Sequence, residues 1–313
     1  MGHVPDACGL LAGYVSDLLF ADPERAHPVA AFGACADRVH RAWYADATSR
    51  GVLSTAVLVG ASAGLGLVAE RAGRGPLARA TMTGLATWAV LGGRSLHREA
   101  EAMSRLLQAG DSAGAGSRLP HLCGRDPAGL DVPDLARATV ESVAENTCDA
   151  VVAPLFWGAV AGTPGLLAYR ATNTLDAMVG HRSPRYARFG TAAARLDDAA
   201  NFLPARLTGL LAAAFAGLVG GSARTALRTM RRDGPHHPSP NAGRVEAAFA
   251  GALGVALGGR TVYAGRVEQR GPLGQGRTVQ VADIARATRL ANAVGLAAAL
   301  LAAAAAGARG RSR

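Results

Sequence analysis

GVLSTAVLVGASAGLGLVA, residues 51–69, runs for 19 residues without a charge. That length falls within the ~17–25 apolar residues that cross a bilayer as a helix. Two other stretches repeat the pattern: 207–223 (LTGLLAAAFAGLVGGSA, 17 residues) and 290–308 (LANAVGLAAALLAAAAAGA, 19 residues). Segment 80–93 is shorter but extends back past Arg79, which would snorkel, and 8–20 is apolar except for Asp17. All are rich in the small residues that let helix backbones approach closely in lipid. A soluble bundle with alanine-rich helices is the alternative, yet three uncharged spans are hard to bury in a soluble core of 313 residues. The expected fold is all-α, a polytopic integral membrane helical protein forming one membrane-embedded domain over 1–313.

Segment 150–169 (AVVAPLFWGAVAGTPGLLAY) is also uncharged, but Pro154, Pro164 and Gly165 interrupt it. Proline removes an internal helix hydrogen bond, and Pro-Gly marks a turn. The segment reads as two short helices meeting at a turn, a broken or re-entrant hairpin rather than one span. Segment 247–259, with 13 uncharged residues, is too short to be read as a span. The N-terminus has no basic region ahead of its first apolar run, so insertion is expected through the chain's own helices.

Hydrophobic residues make up 50% of the chain and charged residues only 18%, yet the net charge is +10. There is no lysine, so all 33 basic residues are arginine. The apolar content excludes disorder, and a Walker-type phosphate loop has no candidate for its lysine. Cys8, Cys35, Cys123 and Cys148 are widely separated, which argues against a disulfide framework or a cysteine-built zinc site. A basic excess points to nucleic acid or to anionic phosphates at a membrane. Here the arginines avoid the uncharged spans and are spread through the connections among acids, with no zinc finger, RNA-binding signature or basic heptad. Nucleic acid is therefore not an expected partner, and a lipid bilayer is. Because every connection is basic, the positive-inside rule does not orient the chain.

The long polar segment 94–149 begins with a helical spacing of Leu96, His97, Ala100, Met103 and Leu107, closed by Gly110-Asp111. A second helix starts at Asp131 or Pro133 and carries Glu141, Glu145, Asn146 and Asp149. Carboxylates at 141, 145 and 149 are spaced i, i+4, i+8 and would share one face. Like charges so placed repel unless a cation lies between them, and Mg²⁺ takes carboxylate oxygens while sharing substrate phosphates. A solvated acidic face, or pairing with local arginines, is the other reading.

Beyond the hairpin, Arg170, Asn173 and Asp176 stand at i, i+3, i+6, and Arg195, Asp198 and Asn201 repeat that spacing. Arg182, Arg185, Tyr186 and Arg188 lie between the two groups. Arginine forks suit phosphate oxygens and Asp or Asn suits Mg²⁺; a salt-bridged surface helix would look similar. Three weaker features follow. Asp17, Asp22 and His27 make a polar turn, read either as a helix stop or as a source of a base. Asn241, in SPNAGRVE at 239–246, caps the next helix or helps receive an anion. GPLGQGRT at 271–278 resembles a phosphate-cradling glycine loop, with no strand expected before it.

These blocks together resemble the cobinamide-phosphate synthases of cobalamin biosynthesis, the CobD/CbiB family. The resemblance rests on GYVSDLLFADPERAHPVAAFG at 13–33, GRDPAGLDVPDLARATVESVAENTCDAVVAPLFW at 124–157, YRATNTLDAMVGHRSPRYARFGTAAARLDDAANFLPARLTGLL at 169–211 and SPNAGRVEAAFAGALGVALGG at 239–259. Cys148, Arg244 and the looser stretch 260–274 depart from the family pattern. The family implies a multi-pass enzyme of the cytoplasmic membrane that joins adenosylcobyric acid to an amino-alcohol phosphate, (R)-1-aminopropan-2-ol O-phosphate or ethanolamine phosphate. The ligation uses ATP as co-substrate with Mg²⁺. It also allows a homo-oligomer or association with other cobalamin-assembly membrane enzymes.

On that reading Glu141, Glu145, Asp149 and Asp176 handle metal or amine, with Glu145, Asp149 and Asp176 as the metal ligands. Arg170, Arg185 and Arg195 bind phosphate groups, and Asn146, Asn173, Asn201 and Asn241 orient substrates. Asp198 or His27 serves as base. Two other classes compete. A CDP-alcohol phosphotransferase would need a DGxxAR signature, but Ala177 follows Asp176. A corrinoid transporter or scaffold would need no catalytic group. One condition is topological: if 150–169 crossed the bilayer, the ESVAEN and NTLD blocks would face opposite sides, so a shared site needs that segment to fold back.

Overall fold

The computed structural model describes residues 4–21, 27–181, 183–263 and 266–309. Asp22 and Arg182 of the polar segments lie outside the described residues. Helices dominate: α1 (Val4–Phe20), α2 (Pro28–Trp43), α3 (Thr48–Ala72), α4 (Pro76–Val90), α5 (Gly93–Gln108), α6 (Ser112–Arg118), α7 (Val132–Thr147) and α8 (Ala153–Leu175). They continue with α9 (Thr191–Ala214), α10 (Ala223–Arg232), α11 (Ala242–Leu253) and α12 (Val281–Arg309). The expectation of helices alone needs one correction. Strands β1 (Leu257–Tyr263) and β2 (Arg266–Leu273) form an antiparallel hairpin, pairing Tyr263 with Arg266 and Leu257 with Leu273. A strand thus does precede the glycine loop at 271–278.

Among the described residues three segments are long and apolar enough to cross a membrane: Thr48–Ala72, the helical run Val132–Gly180 and Val281–Arg309. On α3 only 22% of the most apolar window is buried, and Leu65 and Val68 are more than 60% exposed. Water does not tolerate an apolar surface of that extent, whereas lipid does. The expected span at 207–223 is not one helix. Helix α9 stops at Ala214, a 3₁₀ turn follows at Ala216–Val219, and Gly220 adopts φ +75°. Gly221 then lies so close to the Ala252 carbonyl that a β-carbon would fall 1.8 Å from its oxygen.

The contacts divide the chain into two compact units. The first comprises Met1–Gly92, Asp149–Asn201 and Ala298–Arg313. Its α1 and α4 pack through Gly9 and Gly13, spaced as GxxxG. A β-carbon at either would lie within 2.6 Å of a Thr83 or Thr87 β-carbon, so only glycine permits this approach. Arg79 does not snorkel. It makes a bidentate ion pair with buried Asp6, at 2.7 and 2.8 Å.

Within the same unit α8 breaks at Gly162, where φ is +67° and ψ −154°. Its two limbs fold back on each other. Gly158 sits against Leu166, and a β-carbon on Gly165 would lie 2.4 Å from the Trp157 carbonyl oxygen. In a straight helix residues eight apart would be about 12 Å apart along the axis. The Thr163 amide, exposed by the break, donates to Glu70 Oε1 of α3 at 3.0 Å. The hairpin expected at 150–169 is therefore present, with its corner at Gly162 rather than at Pro164-Gly165.

The second unit comprises Gly93–Cys148 and Phe202–Ala297. Asp131 caps α7 by accepting from the Asp134 amide at 2.9 Å, as its position predicted. Arg125 and Glu141 pair at 2.5 Å with both side chains buried, and Glu141 also accepts from the Gly258 amide at 2.7 Å. This fastens the hairpin start to α7.

Candidate functional site

In the first unit the polar side chains gather where the hairpin returns. Residues Cys148–Val152 form a π-helical turn before α8, and Asp176–Gly180 form another after it. Such turns widen a helix and re-aim its side chains, and they recur at functional sites. Asp149 belongs to the first turn. Asn173, at the other end of α8, extends its Nδ2 to Asp149 Oδ2 and to Asp197 Oδ1, both at 3.4 Å. Asn201 donates to Asp197 Oδ2 at 3.0 Å, and the Tyr169 hydroxyl donates to Asn201 Oδ1 at 2.9 Å. Arg170 reaches Asn173 Oδ1 at 3.5 Å. Tyr169, Asp197 and Asn201 are buried.

Two carboxylates thus share one neutral carboxamide. Asn173 and Asn201 bring further amide oxygens, and Arg170 stands beside them. Hard oxygen donors of this kind suit Mg²⁺, which commonly takes one or two carboxylates and leaves its other positions to water and phosphate. Among the described residues no three His, Cys, Asp or Glu side chains converge as a complete ligand set.

Several sequence expectations change here. Arg195, Asp198 and Asn201 differ in surroundings: Arg195 is exposed, Asp198 is half-buried, and Asp197 is the carboxylate that joins Asn201. Spacing of i, i+4 brings Asp197 and Asn201 together. Partial burial raises the Asp198 carboxyl above its ordinary value. Asp176 opens the second π turn, seated so tightly over Gly180 that a β-carbon there would lie 1.8 Å from Asp176 Oδ1. Arg185 is exposed and lies over the Tyr44 and Tyr186 rings at 5.0 and 5.3 Å, in an aromatic group with Phe189. His27 caps α2, its Nδ1 accepting from the Val29 amide at 3.0 Å.

Glu141, Glu145, Asn146 and Asn241 belong to the second unit. A π turn at Cys148–Val152 interrupts the α-helical spacing between Glu145 and Asp149. Glu141 is engaged by Arg125, Arg137 and the Gly258 amide, a buried anchor rather than an open ligand. Asn146 Nδ2 bonds back to the Ser142 carbonyl at 3.0 Å. Asn241 makes no side-chain cap; it accepts from Arg206 at 2.8 Å, while Ser239 Oγ receives the Ala242 amide.

Sequence reasoning passed over Glu246 and His237. Glu246 is fully buried, and His237 Nε2 lies 3.9 Å from its Oε1. Burial, then the nearby charges of Glu141 and Glu145, holds the Glu246 carboxyl well above the usual carboxylate range. The glycine loop does not cradle phosphate at Gly274, whose amide already donates to Asp233 at 2.9 Å. Gly276 is packed against the Gly254 carbonyl, with room for no side chain.

Apolar helices enclosing buried carboxylate and carboxamide clusters define a membrane-type helical protein with a polar interior. The chain belongs to the CobD/CbiB family: the family described as CobD/Cbib protein matches residues 10–291. It is 52% identical over 296 residues to the cobalamin biosynthesis protein CobD of Mycobacterium tuberculosis, covering 95% of this chain and 94% of that one. It is 44% identical to the protein of the same name from Geobacter metallireducens, covering 82% and 83% of the two chains. The Rhodobacter capsulatus protein is 42% identical, with 84% of each chain covered. No solved structure matches.

Proposed function

We propose that this chain is an adenosylcobinamide-phosphate synthase of cobalamin biosynthesis, a multi-pass enzyme of the cytoplasmic membrane. It would join a propionate carboxylate of adenosylcobyric acid to the amine of (R)-1-aminopropan-2-ol O-phosphate or ethanolamine phosphate. The observation that carries the reading is the contact of Asn173 with Asp149 and Asp197. It brings Asp149, Asn173 and Asp197, from the ESVAENTCD, NTLD and RLDDAAN motifs of the family resemblance, into one partly buried cluster.

A carboxylate and an amine do not condense in water. In the proposed reaction ATP passes its γ-phosphoryl group to the carboxylate, the amine attacks the acyl phosphate, and ADP and phosphate leave as the amide forms. Asp149 and Asp197, with Asn173 and Asn201, would hold Mg²⁺, which supplies charge neutralisation on the phosphates. Arg170, beside them, would meet phosphate oxygens. Tyr169 fixes Asn201, so the carboxamide keeps one orientation. Asp198, half-exposed with a raised carboxyl, would take the proton the amine loses.

The test is turnover by purified protein in lipid with adenosylcobyric acid, the amino-alcohol phosphate and Mg-ATP. Formation of the amide with release of one ADP is expected. Corrinoid binding without product would instead identify a transporter, and cytidine nucleotide-dependent transfer a phosphotransferase.

A further inference from the structure

In the second unit α5 and the first half of α12 border a groove of about 490 Å³. Its walls include Glu101, Ser104 and Arg105 from α5, and Thr288, Arg289 and Asn292 from α12. Glu101, Arg105, Arg289 and Asn292 are exposed. No hydrogen bond or ion pair among the described residues engages the side chains of Glu101, Arg105 or Arg289. Two guanidinium groups, one carboxylate and three neutral hydrogen-bonding groups therefore face one space of ordinary ligand-pocket size.

We propose that this groove binds the headgroup of an aminophospholipid, a phosphate ester carrying a primary ammonium. The two arginines match phosphate oxygens, and Glu101 matches the ammonium. A plain anion would meet repulsion from Glu101, which gives the groove a means of discrimination as well as attraction. The lipid source follows from position along α12. Arg289 is the last charge before the uncharged run 290–308. Leu296, two helical turns further on the same face, is 52% exposed. One helix face thus passes from a charged groove to bare leucine, the order of polarity along a phospholipid. The inference rests on the groove's own side chains and stands apart from the amide-forming reading.

The test uses the full chain in phosphatidylcholine nanodiscs doped equally with phosphatidylethanolamine and phosphatidylglycerol, with retained lipid read by native mass spectrometry. Phosphatidylethanolamine should be retained over both others. R105Q/R289Q should weaken that retention about tenfold or more, the scale of losing charge-assisted hydrogen bonds. E101Q should narrow the preference for phosphatidylethanolamine over phosphatidylglycerol. All three residues are exposed, and an unchanged melting temperature verifies that the variants fold. Equal retention of the two lipids by the wild type, or undiminished retention by R105Q/R289Q, overturns the proposal. A second arm titrates soluble O-phosphoethanolamine into protein in phosphatidylcholine discs. Tight binding there without lipid preference overturns the lipid assignment.

Discussion

Asp197 and Asp198 are neighbours in the chain and differ in surroundings. Asp197 is buried between two asparagine amides, while Asp198 is half-exposed. Asp197→Asn should therefore lower amide formation by about 10²-fold or more and raise the Mg²⁺ concentration needed, the scale of losing a preorganised charge at the reacting centre. Asp198→Asn should instead remove the acidic limb of the pH–rate profile. Steady-state kinetics across Mg²⁺ concentration and pH separate the two. Spacing alone favoured Asp198, because Arg195, Asp198 and Asn201 fit a helical face. The choice is made by Asn173 and Tyr169, which lie 24 and 32 residues away from their partners Asp197 and Asn201. Glu141 teaches the same lesson in reverse: its glutamate is legible, but its partner Arg125 and the Gly258 amide are not. Glu141→Gln should cost about 3 kcal/mol or more in unfolding free energy, since it leaves Arg125 buried without its counter-ion. Buried His97 gives a pH test. Burial, with a smaller effect of Arg94, lowers its pKa to about 4. The unfolded chain, with a pKa near 6.5, then binds more protons below neutrality. Stability is full above about pH 6.5 and falls towards pH 4, by about 2 kcal/mol between pH 7.5 and pH 5. Thermal melts of the wild type and His97→Asn should show that slope only in the wild type.

At the scale of elements, the broken helix α8 is the part the sequence expressed well. Pro154, Pro164 and Gly165 announced a bend, and the bend is there. Its corner falls at Gly162 because Glu70, on a different helix, caps the amide that the break exposes. No local pattern carries that contact across 93 residues. Glu70→Ala should lower stability by about 1–2 kcal/mol, the range of a lost helix cap, and Glu70→Gln should recover part of it. Melting temperatures in detergent report both. The β1–β2 hairpin escaped notice for another reason. Leu257-Gly258-Gly259 opens β1 with glycines where alternating apolar residues would signal a strand, and register shifts between Leu257 and Gly259.

For the molecule as a whole, the three uncharged stretches told the class but not each boundary. Two of them, 51–69 and 290–308, lie within single helices, whereas 207–223 is divided by glycines. Exposed leucines on α3 predict that alkaline carbonate leaves the protein in the membrane pellet. Leu65→Arg should reduce the membrane-inserted fraction, because arginine at a span centre costs about 2.5–3.5 kcal/mol on insertion scales. The two π-helical turns have a last consequence, which concerns counting. Each inserts a residue into an otherwise regular ladder, so α-helical arithmetic fails across 148–152 and again across 176–180. Deleting a single residue from either turn would scarcely shorten the chain. It would let the ladder close as plain α-helix and erase the widened turn that aims Asp149 or Asp176.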